Sequence, residues 1–111
     1  MKLPDAEHAY VDIERLRIYI LNPEHPEGRH KALVFQSTLG LTIDDSDLLR
    51  DVLLAKAVSE EVVLGKADNY GQRYRLDFVM TTGHGEARIR SAWIVRHGET
   101  IPRFLTCYVI E

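Results

Sequence analysis

At 111 residues, 45% apolar and 28% charged, the chain has the make-up of an ordinary globular domain, and it is long enough to bury a core without metal or disulfide staples. One cysteine, Cys107, excludes an internal disulfide, and no apolar run reaches bilayer-spanning length, so a cytoplasmic protein without membrane association is expected. The net charge of −3 hides an asymmetry: residues 1–69 carry eight Lys/Arg against thirteen Asp/Glu, whereas residues 70–111 carry six Arg, no Lys and four acids.

From the amino end, VDIERLRIYILNP sets Ile13, Leu16, Tyr19 and Ile20 at helical spacing, with Asp12 suited to cap the start and Asn22-Pro23 to end it. A second helix is expected from about Arg29 to Leu39, with Ala32, Phe35 and Leu39 on one stripe and Gly40 as its stop. A third starts near DDSD, capped by Asp44 or Ser46, and runs through Leu48, Leu49, Val52 and Leu53 to about Val58.

The hydrophobic period then changes to two. EEVVLGKA reads as a short strand, and QRYRLDFVMT puts Tyr74, Leu76, Phe78 and Met80 on one face with Arg73, Arg75 and Asp77 on the other. EARIRSAWIV sets Ala87, Ile89, Ser91 and Trp93 opposite Arg88, Arg90, Ala92 and Ile94, and RFLTCYVIE is the last strand. The glycine-bearing segments ADNYG, TTGHG and RHGETIP fit the turns between them. The expected architecture is a single α+β domain over residues 1–111. A helical part (1–58) of three helices packs on one face of a four-stranded antiparallel sheet (59–111). The other sheet face is left for solvent or for function.

Chemistry concentrates in two places. The first is NPEHPEGRHKA, where His25, Arg29, His30 and Lys31 crowd a proline-fenced joint between helices. One reading makes it a connection with solvated imidazoles; the other makes His25 a general acid/base, with Lys31 and the first N–H groups of the next helix holding an anion. The second is the stripe of Arg73, Arg75, Arg88 and Arg90, which share a parity on adjacent strands. Asp77 and Glu86 are placed to neutralise it, and an RNA backbone would serve equally well. Ser91, Thr106 and Tyr108 are hydroxyls expected on central strands, for which a hydrogen bond to a neighbouring strand is the plain explanation. Trp93 and Cys107 read as core. None of the five histidines has an i, i+4 partner, and GxxxxGK[ST], GxGxxG and GxSxG are absent, so no metal site and no cofactor is expected.

The segments NPEHPEGRHKALVF, ADNYGQRYRLDF and ARIRSAWIVRHGETIPRFLTCYVI resemble a family of short, uncharacterised bacterial proteins and toxin C-terminal domains, over nearly the whole chain. More loosely, the helices-then-sheet layout, HPEGRHKA and PRFLTCYV are similar to the barnase–EndoU–colicin–RelE superfamily of metal-independent RNases and toxins. That second resemblance implies RNA cleavage by attack of the ribose 2′-hydroxyl on the adjacent phosphate. It makes His25 the acid/base, Lys31 and Arg90 phosphate stabilisers, and Ser91 and Thr106 polar orienters. Arg29, Arg73, Arg75 and Arg88 would contact RNA, and a cognate antitoxin or immunity protein would be the partner. Parity sets Arg90 and Ser91 on opposite faces, so both line one site only if a bulge intervenes. The alternative is a non-catalytic, immunity-like module that docks a protein on its exposed sheet face.

Overall fold

A computed structural model describes residues 1–110. The first helix is capped as its sequence suggests, with the Asp12 carboxylate accepting the Glu14 N–H at 3.1 Å. It does not continue as a regular α-helix, however. Arg15–Ile20 is wound as a π-helix, and the Leu21 N–H donates to the Leu16 carbonyl at 2.9 Å, an i→i+5 bond. Leu16 and Ile20 point inward from this wide turn, while Ile18 stays 57% exposed.

Helix α1 (Arg29–Leu39) buries Ala32, Phe35 and Leu39. Gly28 precedes it where the loop runs against the π-turn: a Cβ there would lie 2.8 Å from the Tyr19 carbonyl oxygen. Gly40 ends it in the left-handed conformation at φ 69°, which glycine adopts without steric cost. Helix α2 (Ser46–Ser59) follows a short 3-10 turn at Ile43–Asp45. Its cap differs from the expected Asp44 or Ser46. Thr42 and Asp45 form a capping box, while the Ser46 hydroxyl donates to the Ile43 carbonyl at 2.7 Å.

Four strands follow as a meander in the order β1-β2-β3-β4: β1 (Val63–Asp68), β2 (Gly71–Thr81), β3 (Glu86–Arg96) and β4 (Pro102–Val109). All pairings are antiparallel. Thr106 and Tyr108 therefore stand on an edge strand, not a central one. Between β3 and β4 the register slips: Ala92 faces Thr106, but Trp93 faces Phe104, leaving Leu105 as an extra residue. The bulge puts Thr106 and Tyr108 on the same face as Arg90, and Phe104 and Cys107 on the face of Trp93 and Ser91.

Most of the buried sheet residues are of that second parity, although Ile94, of the other, is buried as well. Tyr74, Leu76, Phe78, Ile89, Trp93, Phe104 and Cys107 form one core cluster with Leu16, Ile20, Phe35, Leu39, Leu49 and Leu53 from the helical half. Each large side chain there contributes about 1.5–3 kcal/mol of burial. The first ten residues also bind both ends of the meander. Lys2 bridges Glu61, and Tyr10 bridges Arg103, with the Tyr10 N–H donating to the Pro102 carbonyl at 2.9 Å. Among the described residues, no helix is long and apolar enough to cross a membrane.

Candidate functional site

The outer edge of β4 is partly covered. The Phe104 N–H is taken by the Tyr10 carbonyl and the Leu105 carbonyl by the Arg15 guanidinium, at 2.9 and 3.0 Å. Where the π-turn, the loop before α1 and this edge meet, an open depression of about 550 Å³ remains. Its walls include Glu14, Arg15, Tyr19, His25, Lys31 and Thr106. Three of the five residues assigned catalytic roles by resemblance, His25, Lys31 and Thr106, thus come together from a loop, a helix and the last strand. The depression lies at the sheet's edge, not on the free face where the stripe of arginines pointed.

The His25 ring is fixed by its own loop. Its Nδ1 accepts N–H bonds from both Glu27 and Gly28 at 3.1 Å, and its face tilts against the Tyr19 ring with centroids 4.5 Å apart. An acceptor Nδ1 leaves the proton of the neutral ring on Nε2. His25 can then donate a hydrogen bond from Nε2. A proton relay through Nε2 would require Nδ1 to carry hydrogen and would expel both backbone donors. In this arrangement the ring is a hydrogen-bond donor rather than a proton acceptor. Glu14, on the depression's wall, is a carboxylate whose contact is a mostly exposed ion pair with Arg17 at 3.2 Å.

Lys31 and Arg15 supply positive charge here without acidic partners among the described residues. The Lys31 ammonium stands 4.7 Å above the Tyr108 ring, and Arg15 spends one N–H on the Leu105 carbonyl. Arg29, assigned to RNA contact, is exposed at the start of α1 and does not line the depression.

The remaining assigned residues lie elsewhere. Arg90 faces Asp77 across β2 and β3 and grips its carboxylate with two bonds of 3.0 Å. Arg88 and Arg75 approach the same carboxylate at 3.8 and 3.9 Å. Arg90, by its hydrogen bonds, holds the Asp77 carboxyl below the usual carboxylate range; burial opposes this, and Arg75 and Arg88 reinforce it. Arg73 pairs with Asp68 at 2.6 Å. Asp77 thus provides the compensation anticipated for the stripe, whereas Glu86 is occupied by the Thr81 hydroxyl at 2.9 Å.

Ser91 is 0% exposed. Its hydroxyl donates to the Leu76 carbonyl at 2.7 Å and accepts the Trp93 indole N–H at 3.0 Å. It is on the opposite face from Arg90, and the bulge that would reconcile them falls in β4, so the two do not share a site. Cys107 is also fully buried, and desolvation drives its thiol far above the ordinary range, leaving it inert.

Glu14, Arg15, Tyr19 and Tyr108 were not singled out as site residues in the sequence. Glu14 and Arg15 fall on the polar stripe of the first helix, which an apolar-period search discards. The one clue was Ile18, an apolar residue on that same exposed stripe. Asp5, Glu7 and His8 bring ligand atoms within 4.8 Å of one another near the amino end, but Asp5 and His8 already hydrogen-bond each other at 2.8 Å.

A sequence model for a family described as a domain of unknown function, DUF6883, matches residues 2–111. The chain belongs to that family. No curated protein matches it in sequence. Among solved structures, a chain from the contact-dependent growth inhibition toxin–immunity protein complex of Klebsiella pneumoniae 342 is similar. The TM-score is 0.70 and the identity 17%, over 90% of this chain and 98% of that one. At that identity the likeness is one of fold, and its coverage takes in both the helical half and the sheet of this DUF6883 chain.

Proposed function

We propose that this chain is a toxin-type RNA-cleaving domain whose RNA site is the depression beside β4. The observation that carries the reading is the meeting of His25, Lys31 and Thr106 with Glu14 and Arg15 around one opening. Cleavage through the 2′-hydroxyl needs a proton acceptor, cations for the phosphorane charge and a proton for the leaving oxygen. Glu14 takes the 2′-hydroxyl proton as the 2′-oxygen attacks phosphorus. Lys31, Arg15 and the His25 Nε2–H carry the developing charge. The 5′-oxygen leaves with a proton from the Lys31 ammonium or from solvent. Thr106 orients the sugar or phosphate from the strand. The fold shared with a chain of a toxin–immunity complex supports a toxin-related reading and a dedicated protein partner.

Incubation of the purified domain with single-stranded RNA tests this. Fragments ending in 2′,3′-cyclic phosphate, lost in Glu14→Gln, support the assignment. His25→Asn keeps an acceptor for the loop N–H groups but has no Nε2–H, so it should fold normally and cleave more slowly. Intact RNA at all protein concentrations sinks the reading.

A second reading, a non-catalytic protein-binding module, draws on the outer sheet face, where Arg73 and Arg90 are already paired with acids. Its signature is no cleavage together with a stoichiometric complex whose formation is weakened by Arg88→Ala.

A further inference from the structure

Lys31 borders two hollows at once: the depression beside β4, and a smaller one of about 220 Å³ lined by His30, Val34, Tyr108, Val109 and Ile110. Its ammonium stands 4.7 Å above the Tyr108 ring. A lysine on an exposed helix face has four flexible carbons and a large rotamer entropy to lose when it binds a phosphate. An aromatic face beneath the ammonium biases those rotamers before ligand arrives, through the ring quadrupole.

Tyr108 faces Arg90 in the β3–β4 register, and Arg90 is clamped on Asp77 by two bonds of 3.0 Å. Arg90's guanidinium is held above its usual pKa first by its hydrogen bonds to Asp77. The cross-strand neighbours Asp77, Arg90 and Tyr108 therefore lead from the outer sheet face to the strand edge, where Tyr108 meets Lys31.

We propose that Tyr108 is a positioning residue that holds the Lys31 ammonium at the mouth of the depression, ready for a phosphate of bound RNA. The proposal rests on the RNA-site reading. The active feature is the aromatic face, so phenylalanine should substitute for tyrosine and an aliphatic residue should not.

The test is a double-mutant cycle on binding of a 2′-O-methyl RNA oligonucleotide, which cannot be cleaved. It is combined with NMR of the protein carrying 13C-dimethylated lysines. Tyr108→Leu should weaken binding by roughly two- to fivefold. Tyr108→Phe should bind as wild type, and Tyr108→Leu should add nothing in a Lys31→Ala background. The Lys31 methyl resonance should carry a ring-current shift in wild type and Tyr108→Phe that vanishes in Tyr108→Leu. Independent, multiplying effects of the two substitutions overturn the proposal, as does a Phe variant no better than Leu or an unshifted Lys31 resonance in wild type. If wild type binds no RNA while the ring-current shift is present, the RNA-site reading fails and takes the phosphate role of Tyr108 with it. Normal RNA binding that ignores Tyr108→Leu removes the positioning role alone.

Discussion

The outer face of the sheet and the depression at its edge are both rich in cations, yet they differ in what those cations already touch. On the sheet, Asp77 sits among Arg75, Arg88 and Arg90, and Asp68 holds Arg73. Beside β4, Lys31 leans on an aromatic ring and Arg15 on a carbonyl, with no carboxylate neutralising either among the described residues. A run of arginines in sequence is thus a poor guide to where an anion will bind. What a cation already touches decides how free it is to meet a ligand, and beside β4 neither Lys31 nor Arg15 is held in an ion pair among the described residues.

The largest effect expected to separate the two regions is on RNA cleavage. Lys31→Ala should lower kcat/KM on the order of 100-fold, as loss of one transition-state stabiliser does, whereas Arg88→Ala, 65% exposed on the sheet, should change it by less than about threefold. Equal losses in steady-state assays would erase the distinction. A comparably large effect, on stability alone, is expected under the sheet. Ser91→Ala leaves the Leu76 carbonyl and the Trp93 indole N–H short of a buried partner, at a cost of about 2–3 kcal/mol by urea unfolding. The turnover of the folded fraction should be unchanged; a fall in kcat would return Ser91 to the site.

Asp77→Asn probes the neutralised face directly. It should cost about 1–2 kcal/mol, low for charged hydrogen bonds because the arginines stay partly solvated, and should also steepen the salt dependence of non-specific RNA binding. The pH dependence follows from the depressed carboxyl. Its contribution is fully present above the unfolded pKa of about 3.9 and is lost as pH falls through the lower folded value. The stability gap between wild type and Asp77→Asn should therefore be flat above about pH 5 and close below about pH 4; a gap that persists in acid would mean that Arg90 does not depend on the Asp77 charge. The smallest effect is a reference far from both regions. Thr42→Ala removes one side of the capping box before α2, should cost about 1 kcal/mol in thermal or urea unfolding, and should leave RNA cleavage untouched.

Much of the architecture was legible in the sequence because it follows from short periods. The span Arg29–Leu39, its glycine stop and the inward set Tyr74, Leu76, Phe78 and Met80 match the structure residue for residue. What escaped were irregularities that leave almost no trace in a period. The π-winding of Arg15–Ile20 keeps Leu16 and Ile20 inside, as a regular helix would, and the bulge at Leu105 lies in a run that tolerates either parity. The Thr42 cap was missed because three nearby polar residues are equally able to serve. The site was half legible for a related reason. His25 and Lys31 stood out chemically, but Thr106 joins them only through tertiary geometry, and Glu14 and Arg15 look like ordinary solvated helix residues.

Leu105 also has a meaning for how such a site arises. A strand lacking it would still set Thr106 opposite Ala92, but its edge would no longer offer Arg15 the Leu105 carbonyl. The π-turn facing it is likewise one residue wider per turn than the helix it interrupts. One lip of the depression thus has the form of a single-codon insertion into an otherwise regular hairpin. The length of the segment between Pro102 and Cys107 is thus part of what shapes this depression.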